Sequence, residues 1–318
     1  MVKQNLLIVH QGALGDFVAI FPAIERLKKH YQTIDVLCQS RLGNLAAKLG
    51  LVTKWYPLEA ASFASLYTHT ADQKIEDLLR SYSQIILFSL SFQLEHSVNR
   101  ITRNSCLRLP PKPPAGERIH ITRYVIKNLI NYGLLKQADL DMDHYYLPIN
   151  PEGKNNPAKD IAKILIHAGS GSARKRWPIS NFFVLEKRLR SKGLKPEFLL
   201  GPAEEDLMDI ISDHGRKLYR LSDLVELITL LQAAGGYVGN DSGASHLAAF
   251  MQLPTVVIFG PADPVRWQPN GPLVEVLRPE LECSPCFEIN PSNCPEPECL
   301  DGTTPQKVIE AFFRVYQD

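Results

Sequence analysis

The sequence predicts an α/β protein of two domains, each with a largely parallel sheet covered by helices. Short β-rich runs alternate with longer segments of helical period along nearly the whole chain. With 318 residues, of which 45% are apolar, the chain can build two cores of about 150 residues each. A loop-like stretch near the middle separates two alternating series, so we expect domains at 1–153 and 154–318.

The elements of the first half follow from this alternation. Strands are predicted at NLLIVH (5–10), TIDVLCQ (33–39) and QIILFSL (84–90), and helices at FPAIERLKKHY (21–31) and RLGNLAAKL (41–49). The stretch LPINPEGKNNPAKD (147–160) contains three prolines, a glycine and three asparagines, which is typical of a linker.

A second alternating series follows the linker. Its predicted strands are AKILIHA (162–168), PEFLLG (196–201), GYVGN (236–240) and PTVVIFG (254–260). Its predicted helices are NFFVLEKRLRSKG (181–193), DLVELITLLQAAG (223–235) and ASHLAAFMQ (244–252). Open α/β sheets bind ligands beyond the carboxyl ends of their strands, so the chemistry is expected in loops that follow strands and face an interdomain cleft.

Composition excludes several classes of protein. The 35 Lys and Arg residues balance 34 Asp and Glu residues, which gives no global case for a nucleic-acid partner. The longest apolar runs fall well short of the roughly 20 residues that a membrane span needs. The amino terminus lacks the long apolar region of a signal peptide, and six cysteines are too few for a disulfide scaffold. We therefore expect a cytoplasmic protein.

The first polar cluster, HQGALGD (10–16), follows the opening strand. Its glycines permit a tight turn, but the spacing is neither GxGxxG nor a Walker A loop, which disfavours a dinucleotide-dependent oxidoreductase. Asp16 fits two roles. It can cap the following helix, or it can serve as a general base at the end of a strand.

The second cluster, HAGSGSARKRWP (167–178), follows the first strand of the second series. Backbone N–H groups around Ser170 and Gly171 can approach phosphate oxygens, and Lys175 can neutralise them. This pattern predicts a pyrophosphate-binding loop, while a solvated basic loop has the same composition.

Acidic residues end the next strand, in LLGPAEED (199–206). Glu204 and Glu205 can accept hydrogen bonds from a ribose diol, as acids after strands do in nucleotide sites. They equally fit first-turn acids that favour the helix dipole without any ligand.

The stretch YVGNDSGASHLAAF (237–250) places Asp241 where a strand gives way to a helix. A helix that begins near Ser242 and Gly243 presents free N–H groups that attract a phosphate. Because a carboxylate repels a diphosphate, we expect Asp241 to bind neutral sugar hydroxyls. His246, one turn into this helix, fits a packed structural histidine better than a catalyst, and we place it among the residues around the nucleotide sugar.

Four cysteines lie close together near the carboxyl terminus, at Cys283, Cys286, Cys294 and Cys299. The CxxC pair resembles half of a structural zinc site, and the other two cysteines can complete four thiolate ligands. Free thiols or a labile disulfide are equal alternatives. A threonine cap and a first-turn proline then predict a final helix over about 304–318.

Five of these stretches occur in the order found in glycosyltransferase family 9, the ADP-heptose:lipopolysaccharide heptosyltransferases. They are GALGDFVAIFPAIERLK, GSGSARKRWP, GNDSGASHLAA, FGPADPVRWQP and the terminal cysteines with TTPQKVIE. The resemblance spans nearly the whole chain. It implies a GT-B fold, in which two Rossmann-like α/β domains face each other across a cleft. The amino-terminal domain would bind the acceptor, the carboxy-terminal domain would bind the nucleotide sugar, and the last helix would pack back toward the first domain.

The resemblance also implies inverting transfer without a metal or another cofactor. The family's loop aspartate falls on Asp16, its KxWP lysine on Lys175 and its NDSG aspartate on Asp241. Asp16 would take the proton from the acceptor hydroxyl. Lys175 would stabilise the leaving diphosphate together with Ser170, Ser242 and Gly243. Asp241 would hold heptose hydroxyls and Glu205 or Glu204 the ribose.

The sequence departs from the family pattern at His167, where the family usually has proline, and at the histidine that opens HQGALGD.

The predicted partners are an ADP-heptose donor and an anionic lipopolysaccharide core, with peripheral association at the inner membrane. Gly15, Arg103 and Arg123 are the predicted acceptor-binding residues. The two arginines belong to 100–127, which carries seven cations against one carboxylate and suits an anionic acceptor. A solvated basic surface has the same charge count. Two other functions fit the same sequence. One is transfer from another nucleotide sugar or to a protein, and the other is nucleotide-sugar binding without catalysis.

Overall fold

The computed structural model describes residues 4–67, 71–103, 106–140, 159–281, 283–286 and 298–316. The chain divides into two compact units. The first comprises 1–114 with 121–145, and the second comprises 115–120 with 146–318. Each unit is an α/β structure with its own sheet, as the alternating pattern predicts.

The described part of the first unit contains a five-stranded parallel sheet in the order β3-β2-β1-β4-β5. Its strands are β1 (Asn5–His10), β2 (Thr33–Cys38), β3 (Lys54–Pro57), β4 (Gln84–Phe88) and β5 (Cys106–Leu109). Its helices are α1 (Leu14–Val18), α2 (Phe21–Leu27), α3 (Ser40–Lys48), α4 (Gln73–Arg80), α5 (Phe92–Thr102) and α6 (Ile121–Asn131). Strands β1 and β4 are central and buried, which explains their nearly continuous apolar sequences.

Among the described residues of the second unit, six strands form a parallel sheet in the order β11-β10-β9-β6-β7-β8. Its strands are β6 (Asp160–His167), β7 (Lys195–Leu200), β8 (Leu218–Arg220), β9 (Ala234–Asn240), β10 (Thr255–Ile258) and β11 (Val274–Leu277). Its helices are α7 (Ile179–Ser191), α8 (Glu205–Asp213), α9 (Leu224–Ala233), α10 (Gly243–Phe250), α11 (Pro264–Trp267) and α12 (Pro305–Tyr316).

Both strand orders reverse direction beside the first strand of the unit. In the first sheet the reversal lies between β1 and β4, and in the second sheet between β6 and β9. When β6 is counted as the first strand, the second sheet has the strand order of dinucleotide-binding folds. In such sheets the loops at the reversal diverge and leave a crevice beyond the strand ends. These two points are therefore where each unit can hold a ligand.

The apolar face of α12 packs on α7 and on β10 and β11, so the last helix helps to complete the core of the second unit. That this helix also packs back toward the first domain stays a prediction. Segment 115–120 groups with the second unit. There the Arg118 guanidinium donates two hydrogen bonds to Asp263, at 2.9 and 3.1 Å. The predicted boundary at 153 lies outside the described residues.

None of the helices in the described ranges combines the length and the apolar character that a membrane crossing needs.

Candidate functional site

The reversal point of the second sheet brings two sequence motifs together. Strands β6 and β9 are neighbours, so the loop after His167 lies beside the loop after Asn240. The fully buried Asn240 side chain joins the two loops. Its Nδ2 donates to the carbonyls of Ala168 and Gly169, at 2.8 and 3.2 Å, and its Oδ1 accepts the Trp177 N–H at 2.9 Å.

Ser170 and Lys175 attach the glycine-rich loop to Asp241. The buried Ser170 hydroxyl donates to the Asp241 carbonyl at 2.8 Å, so this side chain fixes the loop rather than facing a ligand. Gly171, next to it, is exposed, and a Cβ there would meet nothing within 4 Å. The backbone of this turn is therefore sterically open, and phosphate binding there stays a prediction.

Lys175 and Asp241 form an ion pair, with Nζ 2.7 Å from Oδ2. The Asp241 side chain is only 6% exposed, whereas that of Lys175 is 21% exposed. The sequence motifs predict separate roles for these two residues and do not predict their contact. The pairing places a cation directly at the reversal point and partly neutralises a buried carboxylate there.

Helix α10 begins at the same point. Ser242 is its N-cap, and its Oγ accepts the Ser245 N–H at 3.4 Å. Gly243 is the first helical residue and is half-buried, so the first turn is accessible. His246 is buried within the helix, as expected for a packed histidine. A short polar N-terminus with an adjacent lysine is suited to an anion.

The two glutamates after β7 differ in environment. Glu204 is buried, its Oε2 accepts the Gly201 N–H at 2.7 Å, and its Oε1 lies 3.9 Å from His167 Nε2. Burial opposes ionisation of Glu204, but the contacts with His167, Gly201 and Arg176 outweigh it and hold the pKa of this carboxyl below its usual value. Glu204 therefore faces the protein interior, whereas Glu205 is exposed at the start of α8.

The first unit has its own polar cluster at the β1 and β4 ends. Asp16 is the third residue of α1, and its Oδ2 accepts the N–H of the N-cap residue Ala13 at 3.3 Å, so it caps the helix from within the first turn and is not itself the predicted N-cap. His10 is buried, and its Nδ1 accepts the Gly12 N–H at 3.2 Å. Burial lowers the pKa of His10 to about 4, so this histidine is neutral at pH 7 and shapes the loop. Gly15 lies half-buried in α1 beside Asp16.

The basic stretch 100–127 is only partly available to a ligand. Arg108 pairs with Glu95 at 2.7 Å and lies over the Phe92 ring, and Arg118 pairs with Asp263. Arg103 is exposed at the end of α5 in a left-handed conformation, and Arg123 is exposed on α6.

The cysteines near the carboxyl terminus divide between described and undescribed residues. Cys283 is exposed, Cys286 is half-buried and Cys299 is buried, and Cys283 and Cys286 are free thiols. Cys294 lies outside the described residues. Within the described ranges, no group of three or more His, Cys, Asp or Glu side chains could hold a metal ion. Whether Cys294 completes a zinc site stays a prediction.

Asn240 and His167 were not predicted as site residues. Asn240 stands directly before Asp241 at the end of a fully buried strand, and an amide in such a place must find hydrogen-bond partners. That signal was available in the sequence. The contact between His167 and Glu204 joins residues 37 positions apart, and only the pairing of β6 with β7 brings them together.

Comparison with known proteins agrees with the resemblance of the motifs. The family model for glycosyltransferase family 9 (heptosyltransferase) matches residues 130–295, slightly more than half of the chain. Lipooligosaccharide heptosyltransferase 2 of Campylobacter jejuni (NCTC 11168) is 31% identical over 156 residues, which cover 45% of this chain and 47% of that protein. Lipopolysaccharide heptosyltransferase 1 of Pseudomonas aeruginosa is 28% identical over 129 residues, which cover 39% and 36%. The chain thus spans about half the length, or less, of these curated relatives.

Solved structures share the fold over nearly the full chain. Escherichia coli ADP-heptose LPS heptosyltransferase II has a TM-score of 0.76 at 18% identity, and the match covers 99% of both chains. The glycosyltransferase family 9 structure from Veillonella parvula has a TM-score of 0.76 at 15% identity and covers 100% of this chain and 98% of the other. The predicted GT-B fold is confirmed, and with the family match the chain belongs to glycosyltransferase family 9, the heptosyltransferases.

Proposed function

We propose that this protein transfers a heptose from ADP-L-glycero-D-manno-heptose to the inner core of lipopolysaccharide, with inversion at the anomeric carbon and without a metal ion. The observation that carries the proposal is the convergence of Lys175, the glycine-rich loop and the first turn of α10 at the reversal point of the second sheet. Family membership narrows the reaction to glycosyl transfer.

The leaving diphosphate needs stabilisation as its negative charge grows. Lys175 supplies a cation, and the backbone N–H groups at the start of α10 and around Gly171 supply dipoles. Together these groups can act where a metal ion acts in other transferases. Asp241, already beside Lys175, binds hydroxyl groups of the heptose in this proposal and restrains the lysine between turnovers.

The attacking hydroxyl needs a base. Asp16 stands at the end of the first strand of the first unit, and its side chain is only half-buried. In this proposal it takes the proton from the acceptor hydroxyl as that oxygen attacks the anomeric carbon. Gly15 leaves room for the acceptor, and the exposed Arg103 and Arg123 bind its anionic groups. Glu205 binds the ribose of the donor, and the glycolipid acceptor brings the enzyme to the cytoplasmic face of the inner membrane.

The donor assignment is tested by calorimetric titration with ADP, GDP and UDP in the presence of EDTA. We expect selective ADP binding that Lys175→Ala weakens by about 10-fold or more. Lys187→Ala, which removes an exposed lysine from α7 of the same unit, is the matched control and should bind ADP as wild type does. Equal affinity for the three nucleotides would indicate transfer from another nucleotide sugar.

The reaction itself is tested with ADP-heptose and a truncated lipopolysaccharide acceptor. NMR of the product should show inverted anomeric configuration, and Asp16→Asn should lower kcat by about 100-fold or more while ADP affinity is retained. Asp77→Asn, on the exposed side of α4, is the control. Nucleotide binding without any transfer by the wild type would instead support a non-catalytic nucleotide-sugar-binding protein.

A further inference from the structure

A buried polar chain runs beneath the first turn of α10. It connects Glu204, His167 and Ser242, with His167 Nε2 3.9 Å from Glu204 Oε1 and His167 Nδ1 3.3 Å from Ser242 Oγ. His167 is 5% exposed and Glu204 is 6% exposed. Ser242 is the N-cap of the helix whose first turn is the proposed diphosphate site. The chain therefore links an interior carboxylate to a hydroxyl at the edge of that site.

The hydrogen-bond donors and acceptors around Ser242 indicate how His167 affects the direction of the serine hydroxyl. The Ser245 hydroxyl donates to the Asn240 carbonyl, so Ser245 Oγ can only accept from its other neighbours. Ser242 Oγ has two possible acceptors for its single proton, Ser245 Oγ at 3.1 Å and His167 Nδ1 at 3.3 Å. The ionised Glu204 carboxylate favours a proton on Nε2 of the imidazole. A neutral His167 in that tautomer is then an acceptor toward Ser242.

A second proton on His167 reverses the direction of its hydrogen bond with Ser242. The imidazolium donates from Nδ1 to Ser242 Oγ and no longer competes for the serine proton. The serine hydroxyl can then turn and donate to a phosphate oxygen at the start of α10. A diphosphate that arrives there also favours the imidazolium by its own negative charge.

We propose that His167 is a positioning residue for the donor diphosphate, which binds a proton from solution when a nucleoside diphosphate binds and thereby directs the Ser242 hydroxyl to the phosphate. The proposal deepens the proposed function and rests on its diphosphate site. The proton comes from the solvent and stays on Nδ1 while the nucleotide is bound, and Glu204 neutralises the resulting cation.

Several other polar and charged groups lie around His167. Glu204 faces it from the loop after β7, and Ser242 faces it from α10. Tyr237 on β9 has its ring centroid 6.5 Å from that of His167, and burial raises the pKa of this phenol, so it stays protonated near neutral pH. Lys175 and Asp241 form their own ion pair in the neighbouring loops. The positive charge of Arg176 helps to lower the pKa of Glu204.

Calorimetry of ADP binding to the full chain tests the proposal. The heat is measured at pH 7 in two buffers of different ionisation enthalpy, which gives the number of protons exchanged. We expect wild type to take up more protons per ADP than His167→Asn, whose side-chain amide can form hydrogen bonds but cannot titrate in this range. His167→Asn should also bind ADP about 10-fold more weakly, since a hydrogen bond to a charged group is lost.

A double-mutant cycle tests whether His167 acts through Ser242. We expect His167→Asn to have no further effect on ADP affinity or proton uptake in a Ser242→Ala background. Glu204→Gln is an independent variant that keeps the side-chain size, and it should also lower the proton uptake. Variants are compared only where thermal unfolding shows a folded second unit, and Glu204→Gln serves if His167→Asn does not fold.

Equal proton exchange in wild type and variants, or additive effects of His167→Asn and Ser242→Ala, would overturn this inference while leaving the donor assignment intact. If UDP or GDP binds in place of ADP with the same His167-dependent proton uptake, the inference stands and the donor assignment fails. Absence of binding by every nucleoside diphosphate would overturn both.

Discussion

Lys175 Nζ lies 2.7 Å from Asp241 Oδ2 at the reversal point of the second sheet, and the carboxylate of this pair is nearly buried. In the proposed function, a diphosphate that reaches this point meets a lysine already held in place. The same contact gives Lys175 a structural task besides its proposed catalytic one, so its replacement has two effects that must be separated.

We expect Lys175→Met to destabilise the second unit by about 1 to 3 kcal/mol, because Asp241 loses the cation that offsets its desolvation. In an Asp241→Asn background the same substitution should lower the free energy of unfolding much less, since no buried charge remains to be neutralised. Urea unfolding of the four proteins measures the difference. An equal cost in both backgrounds would show that the ion pair does not stabilise the fold.

Asn240→Ala should destabilise the second unit by about 2 to 4 kcal/mol. The substitution removes three hydrogen bonds and leaves the Trp177 N–H and two carbonyls without this partner in the interior. Because the same bonds fix the glycine-rich loop, ADP affinity should fall as well. Asn128→Ala is the control, since the Asn128 amide donates to the Tyr124 carbonyl one turn earlier in the same helix, α6. Similar losses for the two variants would contradict the bridging role of Asn240.

These contacts separate the features of the fold and site that the sequence predicts from those that it does not. Apolar runs and loop residues predict the strands and place Asp16, Lys175 and Asp241 after strand ends, because those features depend on local sequence. The contact of Lys175 with Asp241 depends instead on the pairing of β6 with β9, which joins residues 66 positions apart.

The inward position of Glu204 also depends on packing. An added Cβ at Gly169 would lie 2.5 Å from the Glu204 side chain, so a glycine in one loop permits the burial of a carboxylate from another. No local pattern in LLGPAEED distinguishes Glu204 from Glu205. The assignment of segment 115–120 likewise depends on the distant Asp263, 145 positions from its partner Arg118.

The first unit should lose stability in mild acid through His10. Its pKa is about 4 in the folded chain against an ordinary value of 6.5, because burial disfavours the imidazolium. Between these two values the unfolded chain binds the proton and the folded chain does not, so stability is retained above pH 6.5 and lost as the pH falls toward 4. The expected loss between pH 7 and pH 5 is about 2 kcal/mol.

Denaturant unfolding of wild type and His10→Asn at both pH values measures this loss. At pH 7 the variant should have a lower free energy of unfolding than wild type. Between pH 7 and pH 5, however, its free energy of unfolding should fall by about 2 kcal/mol less than that of wild type. The same substitution at His96, which is exposed on α5, should preserve the wild-type loss. An unchanged pH dependence in His10→Asn would show that His10 is not the group responsible.

The last helix should be essential to the second unit because its apolar side chains complete that core. Phe312 is fully buried, and its ring lies so close to β9 that a Cβ at Gly236 would be 2.7 Å away. Phe312→Ala should therefore cost about 3 to 5 kcal/mol through the cavity it leaves. Phe313, the next residue, is only half-buried, and its replacement should cost about 1 to 2 kcal/mol. Scanning calorimetry compares the two variants, and a smaller loss for Phe312→Ala than for Phe313→Ala would contradict the packing of α12 against its own sheet.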